Sequence, residues 1–197
     1  MDEADYIWVD GELVNWDEAQ THVLSHGLHY GTGVFEGIRA YDTDDGPAAF
    51  RLPEHLERFL DSAAICQMDL DYSQAELRAA VEAVVSENGL DGCYIRPIAF
   101  RGYKELGVDP TGSPISVAIA AWPWGAYLGE DALENGVDIM TSSWTRHHPN
   151  VMPTKAKATG NYVNSAMAKM EAVRNGFHEA IMLTPEGYVA EGSGENV

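Results

Sequence analysis

The sequence predicts an α+β fold in two parts. Runs with strand character and amphipathic helical runs both recur along its 197 residues, and 45% hydrophobic content is ample for a core. Pro123-Trp124-Gly125 breaks the composition after a long apolar run and marks a connector. Residues 1–123 are therefore expected to form a small N-terminal domain, residues 124–134 an interdomain loop, and residues 135–197 part of a second domain.

The elements follow in order. Tyr6–Val9 and Glu12–Asn15 read as short strands, and Asp10-Gly11 between them suits the primed turn of a tight hairpin. His22, His26 and His29 stand at i, i+4 and i+7, which on a long helix would line three imidazoles along one face as a metal site requires. Gly27 and the glycines at 31, 33 and 37 oppose such a helix, so polar packing is the preferred reading and no metal is expected. Gly31 to Gly37 has its third glycine one residue late for a dinucleotide fingerprint, and Ile38–Tyr41 after it reads as a strand where that motif needs a helix. It is instead a glycine-rich turn that allows close backbone approach.

Pro53 to Cys66 reads as a helix with proline in its first turn. Leu56, Phe59, Leu60, Ala63 and Ala64 form its apolar face, which leaves His55, Arg58 and Ser62 on another, with Arg58 free to point at an anion. Ser73-Gln74-Ala75-Glu76 is a capping box that opens a second helix, and Gly89 stops it. Tyr94–Arg101 and Ile115–Trp122 read as strands, the latter nearly continuous in apolar residues and so buried. Arg96 lies among apolar neighbours, where a guanidinium needs an anion, either within the sheet or from a ligand. Beyond the connector come a strand at Val137–Ser142, a helix from Tyr162 to Asn175 stopped by Gly176, and a hairpin of Glu179–Leu183 with Tyr188–Glu191. Thr184-Pro185-Glu186-Gly187 is its turn, and His147 and His148 fall in a loop.

Charge and composition exclude several classes. The net charge of −19 is spread along the chain and argues against nucleic acid, whose phosphates need a basic footprint. It fits a salt-adapted surface, because concentrated cations screen repulsion to within about 3 Å at 1 M. No apolar run approaches the roughly 18 residues of a membrane span, and the acidic start MDEADY is unlike a signal peptide, so the protein is expected in the cytoplasm. Cys66 and Cys93 are too isolated for a disulfide framework and suit a reducing compartment.

Chemistry concentrates between Lys155 and Glu195. The chain has four lysines, and two of them, Lys155 and Lys157, flank Ala156 just ahead of Gly160-Asn161-Tyr162. A lysine in a confined site can attack a carbonyl and form a Schiff base with an aldehyde cofactor such as pyridoxal phosphate. Such a cofactor also needs a carboxylate at the ring nitrogen, a hydroxyl at the ring oxygen, and a cation for the phosphate. The segment supplies the lysine, the phenol of Tyr162 and the carboxylate of Glu191.

KAKATGNYVNSAMAKMEA with HEAIMLTPEGYVAEGSGEN resembles the core of the branched-chain amino acid aminotransferases, pyridoxal-phosphate enzymes of fold type IV. Leu24–Tyr41, Pro53–Ala63, Tyr94–Phe100 and Ala121–Gly129 extend the resemblance over essentially the whole chain. It implies a small N-terminal α/β domain, then the first part of a larger cofactor domain. It implies Lys157 as the Schiff-base lysine, in preference to Lys155, and Arg58, Tyr162 and Glu191 as its companions around pyridoxal 5′-phosphate. Tyr30, Phe35, Gly37, Tyr94, Arg96, Val108, Trp124 and Tyr127 are implied as substrate residues, with Tyr30 and Val108 reaching in from a partner subunit of a homodimer or higher oligomer. The implied reaction moves an amino group between leucine, isoleucine or valine and 2-oxoglutarate, forming glutamate. A D-amino acid aminotransferase or an aminodeoxychorismate lyase would share Lys157 and Glu191, but YGTGVFEGIRAY and PWGAYLG speak against them. The resemblance departs at Thr159, where glycine is common, and at Val197, where family members continue. The chain is accordingly read as a fragment, with an inactive truncated domain as the alternative.

Overall fold

A seven-stranded antiparallel sheet organises the first of two units in the computed structural model, which describes residues 2–124 and 131–197. This unit runs to Trp124 and takes in Ala156–Thr159. Its elements are β1 (Tyr6–Val9), β2 (Glu12–Asn15), a short α1 (His26–Tyr30), β3 (Gly33–Phe35), β4 (Ile38–Tyr41), β5 (Ala48–Ala49), α2 (Leu52–Ile65), α3 (Gln74–Glu87), β6 (Cys93–Arg101) and β7 (Ile115–Trp122). The sheet order is β2-β1-β7-β6-β4-β5, with β3 also paired to β6. The long β6–β7 pair runs from Tyr94 opposite Trp122 to Arg101 opposite Ile115 and is the axis of the unit.

The local chemistry explains the boundaries. Asp10 and Gly11 both take positive φ, as a primed two-residue turn demands. Ser73 and Glu76 form the reciprocal capping box of α3. Leu56 and Phe59 of α2 and Leu77, Val81 and Val84 of α3 pack with Ile38, Ile95 and Ile119 of the sheet, all fully buried or nearly so. Each such side chain contributes about 1.5–3 kcal/mol relative to exposure. One expected face is corrected: Ser62 is buried and Ala64 exposed, because α2 turns Ser62 toward the lysine segment, whose Lys157 N–H donates to its hydroxyl at 3.0 Å. The three histidines share no helix face, since only His26 and His29 lie in five-residue α1, which ends on left-handed Gly31.

The second unit comprises 125–155 and 160–197. It holds α4 (Asp131–Asn135), β8 (Ile139–Thr141), α5 (Tyr162–Arg174), β9 (Glu179–Leu183) and β10 (Val189–Gly192). β8 pairs parallel with β9, and β10 antiparallel with β9. The parallel pair needs a crossover, which α5 supplies. Alanines make its interior: Ala168 and Ala172 of α5 meet Ala180 and Met182 of β9, with Met140 against them. β8 is shorter than the sequence suggests, and β10 begins at Val189, because Tyr188 still belongs to the turn closed by Gly187 N–H donating to Thr184 O at 2.9 Å. Among the described residues no helix is long and apolar enough to cross a membrane.

Candidate active site

The lysine segment is annealed to the edge of β3. Phe35 N–H donates to Lys157 O at 3.0 Å, Val34 bridges Ala158, and Thr159 Oγ1 donates to Gly31 O at 2.8 Å. With Lys157 N–H on Ser62, the backbone either side of Lys157 is fixed from both directions. Its ammonium lies 5.1 Å from the centre of the Phe35 ring, in contact with the aromatic face, whereas Lys155 is exposed.

Around it the sheet gathers further predicted residues. The Arg96 guanidinium stacks on Phe35 at 4.8 Å and over Tyr94 at 5.1 Å, and its Nη2 donates to the Tyr94 hydroxyl at 3.0 Å. Its Nε is buried without a hydrogen-bond partner, and among the described residues no carboxylate pairs with it. Of the two anions open to Arg96, the one within the sheet is thereby removed. Trp124 packs edge-on to Tyr94 at 4.4 Å and stacks with Trp122 at 5.8 Å. Gly37 is sterically dictated, since a Cβ there would stand 2.0 Å from the Tyr94 hydroxyl. Phe35, Gly37, Tyr94, Arg96, Trp124 and Lys157 thus share one face of the first unit. Tyr30 and Val108 stand outside this cluster, 44% and 81% exposed. Tyr127 lies outside the described residues.

Arg58 is not free, as its helical position suggested. Glu36, with no exposed side-chain surface, accepts from Arg58 Nε and from Nη2 at 2.7 Å, and from His55 Nδ1 at 2.8 Å. Burial acts to raise the Glu36 pKa, but the hydrogen bonds from His55 and Arg58 outweigh it and hold the carboxyl below its ordinary 4.5. The Arg58 side chain remains 48% exposed beyond this grip.

In the second unit, Glu191 sits on β10 just past a register shift between Val189 and Glu191 that re-aims the strand. Arg146 grips it at 2.6 Å and also donates to Ser165 Oγ at 3.0 Å and Asn164 Oδ1 at 3.3 Å. A cavity of about 420 Å³ opens here, with Arg146, His147, Thr154, Ala190 and Glu191 among its walls. Burial, helped by the Arg146 charge, holds the His147 imidazole below its ordinary 6.5, so it is neutral at pH 7. Tyr162 opens α5, directly after buried Asn161. Glu36, His55 and Arg146 escaped the sequence reading. The available signals were a glutamate inside an apolar run, a histidine one helical turn from Arg58, and a basic residue ahead of the His-His pair.

The sequence pattern of the class IV amino-transferases matches residues 33–197. The chain belongs to this family. Among its aminotransferase relatives, the Pseudomonas aeruginosa branched-chain-amino-acid aminotransferase is 56% identical over 191 residues, which are 97% of this chain and 62% of that protein. The Escherichia coli branched-chain amino acid aminotransferase crystal structure superposes with a TM-score of 0.95 at 51% identity, covering 98% of this chain and 64% of that one. The T.th. branched-chain amino acid aminotransferase with pyridoxamine 5′-phosphate gives 0.94 at 56% identity, with the same coverage. The fold is therefore that of the fold type IV aminotransferases, and the chain spans rather less than two thirds of the relatives it matches.

Proposed function

We propose that the protein is a pyridoxal-phosphate-dependent branched-chain amino acid aminotransferase, exchanging amino groups between leucine, isoleucine or valine and 2-oxoglutarate. The observation that carries this is the half-buried lysine over Phe35 beside an arginine whose buried Nε lacks a partner. The relatives named above support it, one of them with bound pyridoxamine 5′-phosphate and the same T.th. protein also with N-(5′-phosphopyridoxyl)-L-glutamate.

The donor set fits that cofactor: a confined amine (Lys157), a phenol (Tyr162), a fixed carboxylate (Glu191) and a half-exposed guanidinium (Arg58). Bound pyridoxal phosphate supplies an aldehyde for the amine and a protonated ring as electron sink. Arg58 holds the phosphate, Tyr162 orients the ring oxygen, and Glu191 keeps the ring nitrogen protonated. Lys157 Nζ would take the proton from the substrate α-carbon and deliver it to the cofactor C4′, carrying it the opposite way in the second half-reaction. Arg96 receives a substrate carboxylate by its fork, while Phe35, Tyr94 and Trp124 form the apolar wall, joined by Tyr127. Gly37 leaves room for the Tyr94 hydroxyl. Tyr30 and Val108 complete the pocket of a second copy in a homodimer or higher oligomer, and residues 135–197 are the first part of the cofactor domain. The protein works in the cytoplasm with a salt-adapted surface, and circular dichroism should show its fold weakening as salt is removed.

The test is to add pyridoxal phosphate in high salt, reduce with borohydride and map the labelled lysine by mass spectrometry. Label on Lys157 alone is expected. Scattered label on Lys104, Lys155 and Lys169, or none, would sink the catalytic assignment, and amine transfer from D-alanine rather than leucine would move the protein to another branch of the family.

A further inference from the structure

His26 has no exposed surface, and both ring nitrogens are engaged. Nε2 stands 2.7 Å from Gly107 O and Nδ1 2.8 Å from Thr32 Oγ1. A carbonyl can only accept, so Nε2 carries the hydrogen, and in the neutral ring the Thr32 hydroxyl donates to Nδ1. The imidazole therefore bridges two separate pieces of chain. One is α1 with the glycine-rich turn after it, and the other is the loop between β6 and β7.

That loop is tied at its base but projects beyond it. Gly102 N–H donates to Pro114 O at 2.7 Å, and Arg101 donates to Pro110 O at 3.0 Å. Tyr103, Leu106 and Val108 are all exposed. The bond from His26 to Gly107 reaches furthest out, one residue from Val108. His22 adds a stacked ring on Tyr103 at 4.0 Å, and the other face of the clasp carries Tyr30, whose ring lies 4.5 Å from that of His26. Backbone bonds from His26 N–H to Gly102 O at 3.1 Å and from Arg101 N–H to Thr32 O at 3.0 Å join the same two pieces at the base of the loop, and the His26 side chain carries that frame outward toward Val108.

We propose that His26 is a positioning residue: its Nε2–H bond to Gly107 fixes the Val108 loop against α1, and thereby sets the affinity for the branched-chain substrate in the pocket of a second copy. The substrate half rests on the proposed reading of Tyr30 and Val108 as pocket residues of that copy. Glutamine can place its amide nitrogen where Nε2 stands, and asparagine reaches only the Nδ1 position, so the two separate the Gly107 bond from the Thr32 bond.

The experiment uses the cofactor-loaded protein and three variants, His26→Gln, His26→Asn and His26→Leu. Amide hydrogen exchange at Arg101 and Gly102, whose N–H groups donate to Thr32 O and Pro114 O at the base of the loop, should quicken about tenfold in the Asn and Leu variants and stay near the unaltered rate in the Gln variant. KM for leucine should rise about tenfold in the same two, with kcat within about a factor of two, since the lost contact is equal in ground and transition states. Unchanged exchange in His26→Asn, a Gln variant as loose as the Leu variant, or a fall in kcat at constant KM would each overturn the proposal. If the unaltered protein does not turn over leucine, the functional reading fails and takes the substrate half with it, while hydrogen exchange still decides the clasp.

Discussion

Among the described residues each unit carries one carboxylate–arginine pair with a covered member, and the two pairs are mirror images in burial. In the first, Glu36 is sealed from solvent and Arg58 is 48% exposed. In the second, Arg146 is the covered partner at 18% and Glu191 the open one at 37%. The inner member sits in the frame and aims the outer one, a cation in the first unit and an anion in the second. On the proposed reading the outer cation would serve the cofactor phosphate and the outer anion its ring nitrogen. Each is already fixed within its own unit, which would reduce the ordering that binding requires.

Removing the outer arginine of the first pair should have the largest effect on stability. Arg58→Leu leaves the Glu36 carboxylate buried with only His55 and the Gly37 N–H, and breaking a buried pair from one side costs about 3–5 kcal/mol. Arg146→Leu leaves Glu191 partly in water, where the loss should be about 1 kcal/mol. Urea denaturation of both variants at neutral pH measures the contrast. Equal losses would mean that burial does not set the rank of the two members and that the mirror relation is only geometric.

The same comparison has a pH form. Glu36 has a depressed pKa in the fold, so its contribution is fully present above the ordinary 4.5 and is lost as pH falls through the lower folded value. Glu36→Gln should therefore lower stability by about 1–3 kcal/mol at neutral pH, with the gap to the unaltered protein closing as pH falls below 4.5 and through the lower folded value. On the proposed reading of Arg58 as the phosphate ligand, cofactor affinity should fall in the same variant by about tenfold, because Arg58 loses the carboxylate that aims it, and apoprotein titration with pyridoxal phosphate reads this directly. A gap that widens in acid would show that Glu36 is carried protonated and that the pair is not ionic.

The mirror also explains what could be read from the sequence. Arg58 and Glu191 drew attention in the sequence because they stand in motifs whose residue types answer to the chemistry proposed for a ligand. Glu36 and Arg146 are defined by partners within the chain. Glu36 reads as one acid among many until its burial is known, and Arg146 as a loop residue until Asn164 and Ser165 are seen around it. Strands with clear turn chemistry, such as the Asp10-Gly11 hairpin, and helices with clear caps, such as that at Ser73, were legible to within a residue or so. Ser62 was misplaced for a different reason. Helical periodicity assigns a hydroxyl to the polar face, and only the passage of Lys157 over α2, 95 residues later, gives that hydroxyl a buried partner.

The uncharged counterpart of these pairs is a contact in the lysine segment. Thr159 stands where the resemblance expects glycine, and its Oγ1 lies 2.8 Å from Gly31 O and 3.2 Å from Gly33 O. Its methyl carbon, 3.2 Å from where a Gly33 Cβ would be, closes the same corner. Thr159→Gly removes a hydrogen bond and adds backbone freedom to the unfolded chain, for a loss of about 1–2 kcal/mol. Thr159→Ser should recover most of it, since the hydroxyl returns without the methyl. Because the contact is uncharged, the loss should be the same at high and low salt, which the Arg146 pair should not match. Salt-dependent loss in Thr159→Gly would mean that the lysine segment is held by charge rather than by its pairing with β3.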